Sequence, residues 1–148
     1  MTADQGPPDP AGPPRERDTE ALPPPLAAAL RRAHHAEATS HGPHRRPALR
    51  RTRELIGATL AIGYSLAAVA DCLGITPGSV RDRQASGGSL SDAAIADLTG
   101  LDRDDIERWR REGLLPASAA GLDGEPCYPT IDVVRVLADE WRAGDRRG

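Results

Sequence analysis

The sequence predicts an all-α protein that has one small β element and is preceded by a disordered N-terminal tail. The 148 residues include only four aromatic side chains, all of them after residue 63, so any hydrophobic core must be small and mostly aliphatic. Ten of the fourteen prolines lie between Pro7 and Pro47, a density that is typical of disordered chain. After residue 47, apolar residues recur at helical spacing, which indicates amphipathic helices.

The predicted tail covers residues 1–46. It contains the proline-rich runs PPDP, GPPRER and LPPPL, and nothing in it is expected to build a core. One Ala-rich stretch, Leu26 to Ala38, could form a short helix within the tail.

The first helix of the folded region is predicted from about Ala48 to Ile62. Gly63 and Tyr64 then break it. The helix is indicated by apolar residues at roughly helical spacing, which are Leu49, Leu55, Ile56, Leu60 and Ile62.

Two later segments repeat one another at an offset of 26 residues. The repeat has the frame A-x3-G-x5-V or A-x3-G-x5-I, and its members are Ala70, Gly74 and Val80, then Ala96, Gly100 and Ile106. Further pairs keep the register: Ser65 with Ser91, Val69 with Ile95, and Ile75 with Leu101. An offset this consistent indicates a repeated structural unit.

The repeat predicts a helix-turn-helix in each unit. Ala70 and Ala96 are the small residues that two closely crossing helices need. A glycine follows each alanine at the turn, where only glycine adopts a positive φ at little cost. The second helix of each unit then begins at a capping residue, Thr76 or Asp102.

Both units resemble known DNA-binding modules. The segment SLAAVADCLGITPGSVRDR resembles a bacterial helix-turn-helix. The segment SDAAIADLTGLDRDDIERWRREGLLP, with Tyr128 after it, resembles the winged helix-turn-helix of MerR-type regulators and excisionases. The resemblance implies tandem helix-turn-helix units over 48–86 and 90–142, the second with a small β wing, and a C-terminal tail over 143–148.

The residues of the second unit suggest how it is completed. Asp123-Gly124 is a tight-turn signal that suits a small β-ribbon. A closing helix is predicted from Thr130 to about Arg142, and it would allow Trp141 to pack with Trp109.

The net charge of −3 hides opposite local charges. Residues 1–40 contain four arginines against six carboxylates, residues 41–90 seven against three, and residues 91–148 eight against thirteen. Clustered arginines are the electrostatic footprint that a phosphate backbone needs. The alternative is a solvated charge run at the edge of the tail. The cluster consists of Arg45, Arg46, Arg50, Arg51 and Arg53.

The second helix of the first unit, Thr76 to about Gln84, is the predicted DNA-reading element. Arg81 is its best candidate for reading guanine. Arg83 either faces DNA or lies where the helix is shortened by Ser86-Gly87-Gly88. The predicted contacts in the major groove are Thr76, Gly78, Ser79, Arg81, Arg83 and Gln84.

The second unit is less suited to DNA. Carboxylates occupy the end of its second helix that would approach phosphates, and Glu107 stands where MerR-type proteins usually have an arginine. Its candidate DNA contacts are Arg103, Arg108, Arg110 and Arg111. The competing interpretation is that this unit docks on a protein or forms a homodimer surface.

The predicted function is sequence-specific binding of double-stranded DNA, in a transcriptional regulator without an effector domain. An excisionase-like or plasmid-maintenance protein that bends DNA is one alternative. A protein-binding adaptor that uses the acidic second unit is another.

Several other functions are not expected. The segments GSVRD and SGGS lack the lysine and the strand-to-helix context of a phosphate loop, so no enzyme activity is predicted. No cofactor or metal is predicted, and Cys72 and Cys127 are interpreted as small buried residues. No signal peptide or membrane span is recognised, so the protein is predicted to be cytoplasmic.

Overall fold

The computed structural model describes residues 21–115 and 126–147, with side chains described as far as Asp139. Over these ranges the protein is mostly helical, as predicted. The helices are α1 (Pro24–Thr39), α2 (Arg45–Ala61), α3 (Leu66–Leu73), α4 (Pro77–Arg83), α5 (Asp92–Thr99), α6 (Arg103–Arg111) and α7 (Thr130–Arg147), and a short 3-10 helix spans Gly42–His44. Two strands, β1 (Ser89–Ser91) and β2 (Cys127–Pro129), form an antiparallel sheet.

Helix α1 corrects the prediction that residues 1–46 are disordered and build no core. It packs against α2, α3, α5 and α7. Leu26, Ala29 and Leu30 have no exposed surface, and Ala33 is also buried. The prediction of disorder is therefore wrong for residues 24–46, which form α1, the 3-10 helix and the start of α2, whereas the possible helix from Leu26 to Ala38 is confirmed by α1. Residues 1–20 lie outside the described residues.

The prolines explain why this region looks disordered in the sequence. Pro24 and Pro25 occupy the first turn of α1, where a missing N–H costs no helical hydrogen bond and the fixed φ suits the helix. The helix then buries Leu26, Leu30 and Ala33 on one side. This spacing is that of an amphipathic helix, but the surrounding proline density obscures it.

Equivalent residues of the 26-residue repeat take equivalent places in two helix pairs. The first pair is α3 with α4, and the second pair is α5 with α6. Gly74 ends α3 with φ +70°, and Gly100 ends α5 with φ +76°. The four helices begin at caps whose side chains accept a backbone N–H three residues later: Ser65, Thr76, Ser91 and Asp102. Val80 and Ile106 return to the core, as predicted.

Helix α1 lies against the C-terminal ends of α3 and α5, where the two helix pairs turn. The Nε of Arg31 donates to the carbonyl oxygen of Cys72 at 3.3 Å, near the end of α3. The guanidinium of Arg32 lies at the end of α5, where a Cβ on Gly100 would be 2.9 Å from its Nη1. Because helix C-termini are partially negative, these two consecutive arginines stabilise equivalent ends of α3 and α5.

The small sheet joins the beginning and the end of the second unit. Leu90 of β1 is opposite Tyr128 of β2, and both side chains are buried. The predicted turn at Asp123-Gly124 lies outside the described residues. The side chain of Trp141 also lies outside them, whereas Trp109 is buried.

Two helix boundaries differ from the prediction. Helix α2 begins at Arg45 rather than Ala48, so Arg45 and Arg46 belong to a helix and not to a tail. Helix α7 continues to Arg147, which makes most of the predicted 143–148 tail helical.

Candidate nucleic-acid interface

Helix α4 presents polar side chains to solvent while its buried side holds it in place. Thr76 caps the helix by accepting a hydrogen bond from the Ser79 backbone N–H at 3.1 Å. Val80 is fully buried. Arg81 and Gln84 are exposed, as the prediction of a DNA-reading helix requires. Ser79 is half-buried, and the backbone at Gly78 is open, since a Cβ there would meet only the Thr76 hydroxyl, 4.0 Å away.

The five clustered arginines lie on different sides of α2, because successive residues of a helix point in different directions. Arg46, Arg50 and Arg53 are exposed and follow one another at i, i+4 and i+7, which places them on one side of the helix. We call these three residues the arginine ridge. Arg51 is half-buried and points away from the ridge direction. Arg45 is exposed at the first residue of α2.

The arginine ridge ends beside the end of α4. The Ala85 backbone N–H donates to the carbonyl oxygen of Arg53 at 3.0 Å. Gly57 allows this approach, because a Cβ at that position would be 1.8 Å from the Ala85 carbonyl oxygen. The chain that leaves α4 is therefore fixed directly to the helix that bears the ridge.

Arg83 does not face solvent as a DNA contact would. Its Nη2 pairs with Oε2 of Glu37, and the two side chains are 19% and 11% exposed. Glu37 belongs to α1, so this ion pair joins α1 to the last residue of α4. The other carboxylate oxygen, Oε1 of Glu37, is buried and makes no hydrogen bond within the described residues. Of the two alternatives for Arg83, the structure favours the shortened helix, because α4 ends at Arg83 and the Arg83 side chain pairs with Glu37.

Glu54 is a carboxylate set among the arginines of α2. Burial raises the pKa of Glu54, while the nearby charges of Arg50 and Arg51 lower it by a smaller amount. Its carboxylate lies against Gly88, where a Cβ would be 2.3 Å from Oε1. Ionised Glu54 is therefore held in a site that favours its neutral form.

The raised pKa gives a prediction for Glu54→Gln. A raised pKa means that protonation of Glu54 stabilises the folded state. This stabilisation is present below the ordinary carboxyl pKa and is lost as pH rises through the raised value. At about pH 7 we expect Glu54→Gln to be more stable than wild type, and at about pH 4 the difference should disappear. Urea unfolding followed by circular dichroism measures the difference in the free energy of unfolding. A variant that is less stable than wild type at neutral pH would contradict the prediction.

Two arginines of the second helix pair interact with polar side chains of the protein itself. Nη1 of Arg110 donates to the Tyr128 hydroxyl at 3.0 Å, and Nη2 of Arg110 pairs with Glu107 at 2.9 Å. Burial raises the pKa of Tyr128, and the hydrogen bond from Arg110 partly opposes this shift. Arg108 lies 3.9 Å from Asp105. Two of the four predicted DNA contacts on α6 thus have carboxylate partners.

The carboxylates of α6 have a structural explanation. Asp102 and Asp105 form a capping box, in which each side chain accepts from the backbone N–H of the other. Acidic residues at the start of a helix and arginines at its end also complement the helix dipole. Arg103 and Arg111 are exposed at its two ends.

The cysteines and histidines give no sign of a metal centre within the described ranges. Cys72 and Cys127 are both free and half-buried. Burial raises the pKa of Cys72, whose Sγ donates to the Ala27 carbonyl at 3.6 Å. No group of three or more potential metal ligands occurs among residues 21–115 and 126–147.

Two residues of this region were missed by sequence reasoning. Glu37 lies on the helical stripe of Leu26, Leu30 and Ala33, so the periodicity of α1 could have revealed that it is buried. Glu54 has no comparable signal, because its burial depends on the segment around Gly88, which is distant in sequence.

Comparison with known proteins gives no match: no protein family, no curated protein and no solved structure is found to be similar. Within the described residues, none of the helices is both long enough and apolar enough to span a bilayer.

Proposed function

We propose that this protein binds double-stranded DNA through the first helix pair and acts as a bacterial transcriptional regulator in the cytoplasm. In this proposal α3 and α4 form a helix-turn-helix, with α4 in the major groove. The second helix pair with its small sheet forms a winged unit. The observation that carries the proposal is the position of the exposed arginine ridge beside α4.

The side chains of α4 suit base reading. Arg81 has the planar, bidentate donor geometry that matches the O6 and N7 acceptors of guanine. Gln84 has both a donor and an acceptor, although its Nε2 makes a long hydrogen bond of 3.4 Å to the Arg81 carbonyl. The buried Val80 and the Thr76 cap hold α4 in a fixed orientation, so that these side chains leave from a rigid element.

The proposal is tested by selection of bound fragments from a random double-stranded library with the full chain. We expect one enriched motif. Arg81→Ala should weaken binding to it by about 1–3 kcal/mol and relax the preference at one base pair. Arg135→Ala, an exposed arginine on α7, serves as the control with the same loss of charge. Absence of any enriched motif, or equal losses for both variants, would contradict sequence-specific reading by α4.

A protein-docking role for the second helix pair is the second candidate. It is favoured by the engagement of Arg110 and Arg108 with carboxylates and by the exposure of Asp104 on α6. In this candidate α6 would bind a basic protein surface while α4 binds DNA. Charge reversal at Asp104 should then abolish recovery of the partner and leave DNA binding by α4 unchanged.

A further inference from the structure

The arginine ridge has a geometry that fits one strand of a duplex. Arg46 and Arg53 are seven residues apart on a continuous helix, which corresponds to about 10 Å along its axis. Phosphates of one strand advance about 3.4 Å each along the duplex axis. A length of about 10 Å covers about three such steps, so each of the three guanidinium groups can meet a separate phosphate of one strand.

The other sides of α2 are less accessible to a DNA backbone than the ridge is. Thr52, Leu55 and Ile56 are buried on the opposite side. Arg51 is half-buried, whereas the three arginines of the ridge are exposed. The same helix therefore cannot turn all five of its arginines to one phosphate backbone.

The contact between α2 and the end of α4 sets the position of the ridge relative to the proposed reading helix. Because Ala85 is hydrogen-bonded to Arg53, the ridge begins next to the C-terminal end of α4 and runs away from it toward Arg46. We therefore expect the ridge to meet the phosphates on one side of the groove that this helix would occupy.

We infer that Arg46, Arg50 and Arg53 bind successive phosphates of a single strand, on one side of the major groove that α4 enters, and that the half-buried Arg51 does not. This inference rests on the proposed function. The three phosphate contacts would fix the position of α4 along the duplex and the direction in which α4 meets the bases. Guanidinium groups suit this role because they bind phosphate oxygens in a bidentate manner.

The first experiment counts phosphate contacts from the salt dependence of binding. Fluorescence anisotropy with a random-sequence duplex of about 20 base pairs, from about 50 to 200 mM salt, gives the slope of log K against log salt. Arg46→Ala, Arg50→Ala and Arg53→Ala should each reduce this slope by about 0.9. Arg51→Ala and Arg135→Ala should leave it unchanged. Arg50→Lys, which keeps the charge, should retain the wild-type slope.

The outcomes separate the inference from the function on which it rests. If wild type binds with a steep slope and Arg51→Ala lowers it as much as Arg50→Ala does, the inference is overturned and the proposed function is not. If wild type binds no duplex at all, both are overturned. Binding of poly-glutamate with the same dependence on the ridge would overturn the inference in favour of an acidic protein partner.

A second experiment tests whether the contacted phosphates all belong to one strand. Phosphate ethylation interference on a selected binding site should identify about three successive phosphates of one strand, at one side of the bases that α4 contacts. In the triple variant R46A/R50A/R53A this interference should be lost. Interference that is equal on both strands, or that persists in the triple variant, would overturn the inference.

Discussion

Leu30→Ala is expected to lower the free energy of unfolding by about 2–5 kcal/mol. Leu30 has no exposed surface, and its helix packs against four others, α2, α3, α5 and α7. A cavity at this position would lie where several elements meet and could close only partly, so both the lost burial and the cavity contribute to the cost.

Urea unfolding followed by circular dichroism measures this effect, and Leu114→Ala provides the control. Leu114 is a leucine of the same size whose exposed fraction is 38%, so its truncation should change stability by only about 0.5 kcal/mol. If Leu30→Ala cost no more than the control, the region around Leu30 would behave as the disordered tail that the composition suggests.

Arg83→Ala is the second variant with a large expected effect. It leaves Glu37 buried without its ion-pair partner, and the removal of one member of a buried pair costs about 3–5 kcal/mol. We expect about 3 kcal/mol, the lower end, because the Arg83 side chain is 19% exposed. Arg81→Ala, two residues earlier on the same helix and exposed, should change stability by about 0.5 kcal/mol or less.

A double-mutant cycle separates this ion pair from other effects of truncation. Glu37→Ala combined with Arg83→Ala should be less destabilising than the two single effects added together, because neither partner is then left alone. Arg83→Ala should also leave the salt slope of DNA binding unchanged after correction for the folded fraction. Additive stability effects, or a slope reduced by about 0.9, would indicate that Arg83 is a phosphate contact after all.

The helix pairs could be predicted from the sequence because their determinants are local. A cap, a small residue and a glycine within about ten positions specify each pair, and the repeat shows the same set twice. Gly74 and Gly100 adopt the positive φ that the turn requires. Boundaries that depend on such neighbouring residues are readable without knowledge of the rest of the fold.

Helix α1 and the role of Arg83 could not be predicted in the same way. The composition around α1 is that of a disordered segment, and its helical stripe is stabilised only by packing against other helices. Glu37 and Arg83 are 46 residues apart, and neither residue signals the other. The arginine cluster was visible, but its division into a ridge and two remaining arginines depends on the start of α2 at Arg45 and on what packs beneath it.

The two consecutive arginines of α1 have a consequence for how the fold opens. Arg31 donates a hydrogen bond to the end of α3 and Arg32 lies at the end of α5, and the same helix supplies Leu26 and Leu30 to the core. Displacement of α1 would remove the support of both helix pairs in one event. We therefore expect the proposed reading helix and the acidic second pair to open together with α1, as one cooperative unit.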